Sequence, residues 1–356
     1  MNLREGILKD AKESKQYIGV DLLNVNGTID PFINFSELLQ FYYFNTYHQR
    51  SIKLKAALLS QVEESNLDKY LPKNEFVKDF MYAFCIDLEM YGNAFLEKSG
   101  SDSDFYLYHL LGYQGRLNKN KEIFQINTIN EAIPMDGYHL KYYSPSGKYY
   151  GEPDYLTTLD QILTSRNADK YNTSFFENGA RPGFGVIFEN SSPNPDQIAT
   201  FKEFFSSNYK GYENAHKTLL LHTGKTSEGS PPAKVRLEKL DSVEDMSFEK
   251  LKNVNRNDII AAHGVPPRLV GVMAAGQLGG GTELIDQLHA FNEIVIKPKA
   301  QTIEDFFANI GITHKIKSLD VTNFKDDSSL IANLVDKHII TQSEAKELLG
   351  FASKTK

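Results

Sequence analysis

The sequence predicts an α+β fold whose helical and strand parts follow one another along the chain. Three observations predict it. Apolar residues recur at helical spacing over 35–61 and 74–92, short runs alternating apolar and polar residues come next, and a β-α-β-β stretch then sits between two further helical patterns. At 356 residues the chain exceeds the usual single-domain size, so two or three substructures are expected.

The first pattern is "FSELLQFYYFNTYHQRSIKLKAALLSQ" (35–61) and the second is "NEFVKDFMYAFCIDLEMYG" (74–92), closed by Gly92. Two packed helices follow from them. The runs "NAFLEKS", "FYLYHLL", "KEIFQIN" and "GYHLKYYS" then read as strands of a small sheet. A longer helix is predicted from Pro153 to the stop at Asn178-Gly179 and Pro182: Pro153 suits its first turn, and Leu156, Leu159, Leu163, Tyr171 and Phe175 form a stripe. About 26 residues at about 1.5 Å each make a rod of roughly 39 Å.

From 183 the period changes. "GFGVIFE" reads as a strand, and "NPDQIATFKEFFSSNYKG" as a helix over 195–210 with Asn194 as N-cap and Gln197 completing a capping box. Strands near 217 and 234 complete an inserted subdomain. The next helix runs from about 243 to Ala262 and stops at Gly264-Val-Pro-Pro267. A Gly-rich segment follows, ending in Gly279-Gly280-Gly281. Thr282, with Glu283 and Asp286 in the first turn, opens a helix with the stripe Leu284, Leu288, Phe291, Val295, Phe306 and Ile310. Pro298 is expected to kink that helix with its stripe resuming in phase. The tail reads as two short helices, the second with a Thr341/Glu344 capping box and a Gly350 cap.

Composition excludes several classes. Hydrophobic residues at 41% and charged residues at 24% are ordinary globular values, so neither disorder nor a fibrous repeat is expected. A formal net charge of -7 argues against gripping nucleic acid over the whole surface. The single cysteine, Cys85, falls in an apolar pattern and reads as a buried, inert thiol. The N-terminus lacks the apolar core of a signal peptide and no long apolar run occurs, so a soluble, cytoplasmically made protein is expected.

The Gly-rich segment invites a test as a phosphate cradle. Gly271 and Gly276 have P-loop spacing, but Gln277 and Leu278 stand where that chemistry needs Lys and Ser or Thr. The nine histidines form no H-E-x-x-H, and His216 and His222 could share a strand face without making a site. No metal, cofactor or catalytic residue is therefore expected. On the residues alone, the uncharged "VGVMAAGQLGGG" reads either as a segment that touches something without holding it or as an ordinary surface connection.

"NVNRNDIIAAHGVPPRLVGV", taken with "YGEPDYL", "FFENGARPGFGVIF", "YENAHKTLLL" and "FNEIVIKPKAQTIEDFF", closely resembles phage portal proteins of the PBSX type, which also serve many contractile-tailed phages and prophages. The similarity runs in order from about residue 91 to about 310, weaker upstream. It implies a non-enzymatic protein forming a ring, usually of twelve copies, at one capsid vertex, through which double-stranded DNA enters and leaves. In portal terms 1–152 is wing, 153–181 the first stem helix, 182–240 the clip and 241–263 the second stem helix. Residues 264–281 are then the tunnel loop, 282–318 the long kinked spine helix with the rest of the wing, and 319–356 a short crown-like helical region.

The resemblance makes Gln277, Leu278, Gly279, Gly280, Gly281 and Thr282 the DNA-facing lip, with Gly264, Pro266 and Pro267 setting the exit from the stem. An uncharged lip releases no counterions from phosphate, so it can touch sliding DNA without holding it. Lys252 and Arg256, four apart and expected to point away from Leu251 and Ile259, are candidate lumen cations; a solvated outer face explains them equally. The implied partners are the terminase large subunit, the major capsid and scaffold proteins and the head-tail connector, with no membrane. The implied location is the virion vertex, and the host cytoplasm during assembly. Two other classes remain to be separated: a packaging enzyme, which needs a Lys next to Gly276, and a structural head-tail adaptor without a channel.

Overall fold

The fold was established with a computed structural model, which describes residues 27–101, 104–145, 147–177, 184–189, 195–196, 198–200, 203, 234–239, 248–273, 281–319 and 331–348. The helix over 195–210 with its Asn194/Gln197 box, the strand near 217, residues 274–280 and the Gly350 cap lie wholly or mostly outside them. The chain divides into two compact units, one made of residues 1–159 and 257–356 and the other of 160–256.

In the first unit the pattern over 35–61 is two helices rather than one, α1 (Phe35–Phe44) and α2 (Thr46–Leu59). The break is Asn45, whose extended backbone frees its side chain to accept the N–H groups of Tyr47 and His48 at 3.0 and 3.1 Å. Asn34 caps α1 in the same way. A short strand β1 (Val62–Ser65) leads to α3 (Val77–Tyr91), which ends where Gly92 turns left-handed at φ 68°.

More strands are present than the alternation predicted, and they form separate sheets. β2 (Asn93–Gly100) is central, with β3 (Phe105–Leu110) on one side and a later strand, Gly137–Lys141, on the other, all antiparallel. Between them β4 (Gly115–Leu117), β5 (Ile123–Ile126) and β6 (Ala132–Met135) make a second antiparallel sheet, so Gly137–Lys141 is β7. β4 has three residues, too few to show a period, and β6 carries Pro134, which reads against a strand.

The helix predicted from Pro153 begins later. Residues Leu156–Thr158 form a 3-10 turn and α4 spans Leu159–Glu177. Pro153 instead packs its segment against Gly92, where an added Cβ would fall 2.5 Å from the Glu152 carbonyl carbon. In the second unit β8 (Phe184–Glu189) pairs antiparallel with β9 (Lys234–Lys239) in register Phe184↔Lys239 to Glu189↔Lys234. The next helix, α5, spans Glu249–Ala262.

The long terminal helix is α6 (Gly281–Phe291), a π-helical turn (Asn292–Ile296) and α7 (Lys297–Asn309). Pro298 lacks the N–H that an α-helix would give to the carbonyl four residues back, and the disturbance is absorbed one turn earlier by the wide turn, in which Lys297 N–H reaches the Asn292 carbonyl. The stripe therefore does not resume in phase. From the last residue of the turn onward the buried residues are Ile296, Ala300, Ile303 and Phe307, while Val295, Phe306 and Ile310 of the predicted stripe are only partly covered. β10 (His314–Ile316) closes the unit by pairing with β1. The last helix, α8 (Gln342–Leu348), has the predicted box: Glu344 N–H donates to Thr341 Oγ1 and Thr341 N–H to the Glu344 carboxylate.

The core of the first unit joins these elements. Ala56 and Leu59 of α2, Phe80, Phe84 and Leu88 of α3, Leu96 and Leu107 of the sheet, and Ile303 and Phe307 of α7 are buried together. Cys85 is among them, and burial pushes its thiol pKa up, so it packs as a small apolar group. Among the described residues no helix is long and apolar enough to cross a membrane.

Candidate functional site

The segment singled out by sequence lies between α5 and α6, and its entry is well defined. At the end of α5, Gly264 takes φ 65°, its N–H reaches the Ala261 carbonyl at 2.9 Å, and Val265 N–H reaches that of Ile260 at 3.3 Å. This is a Schellman cap, with Val265 and Ile260 both buried beside it. Glycine is favoured here: φ is left-handed, and a Cβ would come 3.0 Å from a methyl of Val295 in the π-helical turn.

Pro266 then holds the backbone extended and Pro267 opens a 3-10 turn, Pro267–Val270. Gly271, at φ 86°, ends it with the same device: Gly271 N–H to the Arg268 carbonyl at 3.2 Å and Val272 N–H to that of Pro267 at 2.9 Å. Two left-handed caps seven residues apart thus turn the chain twice before Met273, which is 85% exposed. Gln277, Leu278, Gly279 and Gly280 lie outside the described residues. Gly281 and Thr282 are the first two residues of α6, and their side chains lie outside as well.

Lys252 and Arg256 differ from expectation in one respect. Lys252 and Ile259 are seven apart, two helical turns, so Lys252, the buried Asn255, Arg256 and the buried Ile259 share one face of α5, while Leu251 and Val254, 40% and 52% exposed, lie on another. Within the second unit Lys252 Nζ donates to Asp169 Oδ1 of α4 at 2.5 Å, Asn255 to Ser165 Oγ at 3.2 Å, and Phe248 meets Tyr171 edge-on at 5.5 Å. The Lys252 charge is held by a carboxylate.

What fixes the exit turn to the first unit is a histidine pair that sequence reasoning passed over. His263, the last residue before Gly264, lies 2.9 Å from His48 of α2, Nε2 to Nδ1, and both rings contact Tyr155. Burial lowers the pKa of His48 to about 3 and takes that of His263 well below its ordinary value. Both are neutral, so one donates to the other. Their outer nitrogens, His48 Nε2 and His263 Nδ1, are buried without a partner.

Beside this pair lies a buried ionic square. Lys55 of α2 pairs with Glu89 of α3 and, at 2.8 Å, with Asp154; Lys299 of α7 lies 2.9 Å from Glu89 and 2.8 Å from Asp154. Tyr142 donates its hydroxyl to Glu89 at 2.7 Å and offers its ring to Lys299. Burial opposes the Glu89 charge, yet Lys299 and Lys55 bring its pKa down to about 2; burial likewise opposes the Lys55 charge, and Glu89 and Asp154 hold its proton. A signal was present in the sequence. Lys55 falls in phase with buried Ile52, Ala56 and Leu59, and Glu89 with Cys85 and Leu88.

The remaining carboxylate–imidazole pair, Asp87 with His109 at 2.7 Å, also accepts Gly112 N–H and ties β3 and the following turn to α3. Among the described residues no group of three or more His, Cys, Asp or Glu could hold a metal ion. What the geometry supplies is a rigidly anchored double turn that delivers an uncharged segment between two helices.

An α+β protein with a doubly capped turn between two helices is the class that these features define. The chain belongs to the phage portal protein family, whose model matches residues 73–350. It is similar to the probable portal protein of Haemophilus phage HP1, 24% identical over 89% of this chain and 91% of that protein. It is likewise similar to the probable portal protein of Escherichia phage P2, 22% identical over 85% of this chain and 87% of that one. A solved structure titled "Neck of native GTA particle computed with C12 symmetry" shares the fold, with a TM-score of 0.65 at 18% identity, covering 92% of this chain and 96% of that chain.

Proposed function

We propose that this portal protein acts as one subunit of a ring, usually of twelve copies, set at a single capsid vertex, and that double-stranded DNA passes through the ring during packaging and ejection. The lip of the channel is 277–282, carried by the double turn at Gly264 and Gly271. The observation that carries this reading is that turn: two glycine caps, one backed by a buried histidine pair, bring the chain to the exposed Met273, after which the sequence carries no charge up to Thr282. A channel lip needs a fixed root and a surface without phosphate-binding cations.

In this reading the wing is 1–152, the stem helices lie within 153–181 and 241–263, the clip is 182–240, the spine is within 282–318, and 319–356 forms a small crown. Terminase and later the head-tail connector dock on the clip; capsid and scaffold proteins meet the wing. The work is mechanical, without cofactor or catalysis. Assembly takes place in the host cytoplasm and the finished ring resides in the virion.

Cryo-EM of the purified, assembled particle is the test. A closed ring with Gly279 to Gly281 lining its pore is expected. A monomer, or a ring carrying those glycines on its outside, would sink the proposal.

A further inference from the structure

The ionic square and the histidine pair have a topological feature that the portal reading does not use. Asp154 and Tyr155 stand just before α4, on the chain's way out of the first unit, and His263 stands at its return. Tyr155 donates to the Met90 carbonyl at 2.6 Å and touches both histidines, while Asp154 is one corner of the square. Lys299, the opposite cation, sits in the first turn of α7, one residue after Pro298 and three after the π-helical turn.

Each charge in the square touches two of opposite sign, and Lys55, Glu89 and Lys299 are 0%, 1% and 13% exposed while Asp154 is 33% exposed. Such a cluster is tolerable only when complete, because removing one partner leaves an uncompensated buried charge. A π-helical turn carries one surplus residue, so it is a place where a helix can change register. A one-residue shift of α7 rotates Lys299 by about 100° around the helix axis. Lys55 would then face two carboxylates alone. The least costly relief is for Asp154, the corner nearest solvent, to leave, and it takes the root of α4 with it.

We propose that the Lys55–Glu89–Asp154–Lys299 square is a coupling lock, making the position of the α4 root at Asp154 and Tyr155 depend on the register of α7, the helix that follows the π-helical turn. The lock has two arrangements, complete or open, as packed interfaces do. It is a property of the chain itself and stands apart from whether DNA passes through a ring.

Hydrogen exchange on the full-length protein tests it. Lys299→Gln is expected to speed exchange over 154–162 by about ten-fold or more, together with 297–303, while the β2–β3 hairpin at 93–110 keeps its protection. Coupling is reciprocal, so Asp154→Asn is expected to speed exchange over 297–303. Lys299→Arg, which keeps the charge, is expected to leave 154–162 protected. Faster exchange confined to the substituted segment, or spread equally into 93–110, would overturn the proposal. Should Lys299→Gln fail to fold, Asp154→Asn decides alone: protection unchanged at 297–303 removes the lock.

Discussion

A glycine at φ 65° with a methyl 3.0 Å from where its Cβ would be is a position where one atom matters. Gly264→Ala is expected to cost about 1–2 kcal/mol, from left-handed backbone strain plus the contact with Val295, read as a lower denaturation midpoint. His48 gives a second prediction. Its folded pKa of about 3 lies below the ordinary 6.5, so between those values the unfolded chain binds a proton the folded chain does not. Stability is full above 6.5 and falls as pH drops toward 3, by up to about 1.4 kcal/mol per pH unit, with His263 adding to it. Lys55 on the same helix, Lys299 on α7 and the neighbouring ring of the pair all oppose protonation there, while Asp154 favours it. Denaturant titrations at pH 6.5 and 5 should show the loss, and His48→Gln should lessen it without abolishing it, because His263, His139 and His314, all held below the ordinary imidazole range by burial, keep their share, while Glu89 with a pKa near 2 contributes only below the ordinary carboxylate range.

At the level of elements, two single residues decide how helices are divided. Asn45→Ala removes the acceptor for Tyr47 and His48 N–H and is expected to cost about 1 kcal/mol, measured by thermal denaturation. The π-helical turn makes a sharper prediction. Deleting Ile294, which is 74% exposed, should turn Asn292–Ile296 into ordinary α-helix and rotate α6 by about 100° relative to α7. The α7 core contacts at Ile303 and Phe307 should survive, so the protein should still fold; a crystal structure of the deletion variant checks both. A variant that keeps the wide turn would show that it is imposed by packing rather than by the residue count.

For the molecule as a whole, charge is the accessible variable. The net charge is -7 and 269–282 is uncharged, and Lys252 and Arg256 are the candidate lumen cations on the helix that leads to it. Reversal of both to glutamate is expected to lower packaging efficiency severalfold if they steer phosphates, with the ring still assembled. Because Lys252 already pairs with Asp169, the effect should shrink when Asp169→Asn is added only if that pair, rather than the DNA, is what the reversal disturbs. Normal packaging and ejection in the double reversal would assign both residues to the helix pair within the second unit.

Much of this chain was legible in advance. Helical spacing located α3, α5 and α6; alternation located β2, β3, β5 and β7; and the cap chemistry of Gly92, Gly264 and Thr341 was readable because a cap depends on a few adjacent residues. The family was readable as well, from five short motifs in order. Tertiary structure alone decided what depends on residues far apart in sequence: that Lys55, Glu89, Asp154 and Lys299 meet, that His48 finds His263 across 215 positions, and that β1 pairs with β10. It also decided the one-residue slip at Pro298. Local sequence fixes backbone preferences over one or two turns, whereas partners in a buried polar cluster are chosen by which surfaces pack, and no period along the chain encodes that.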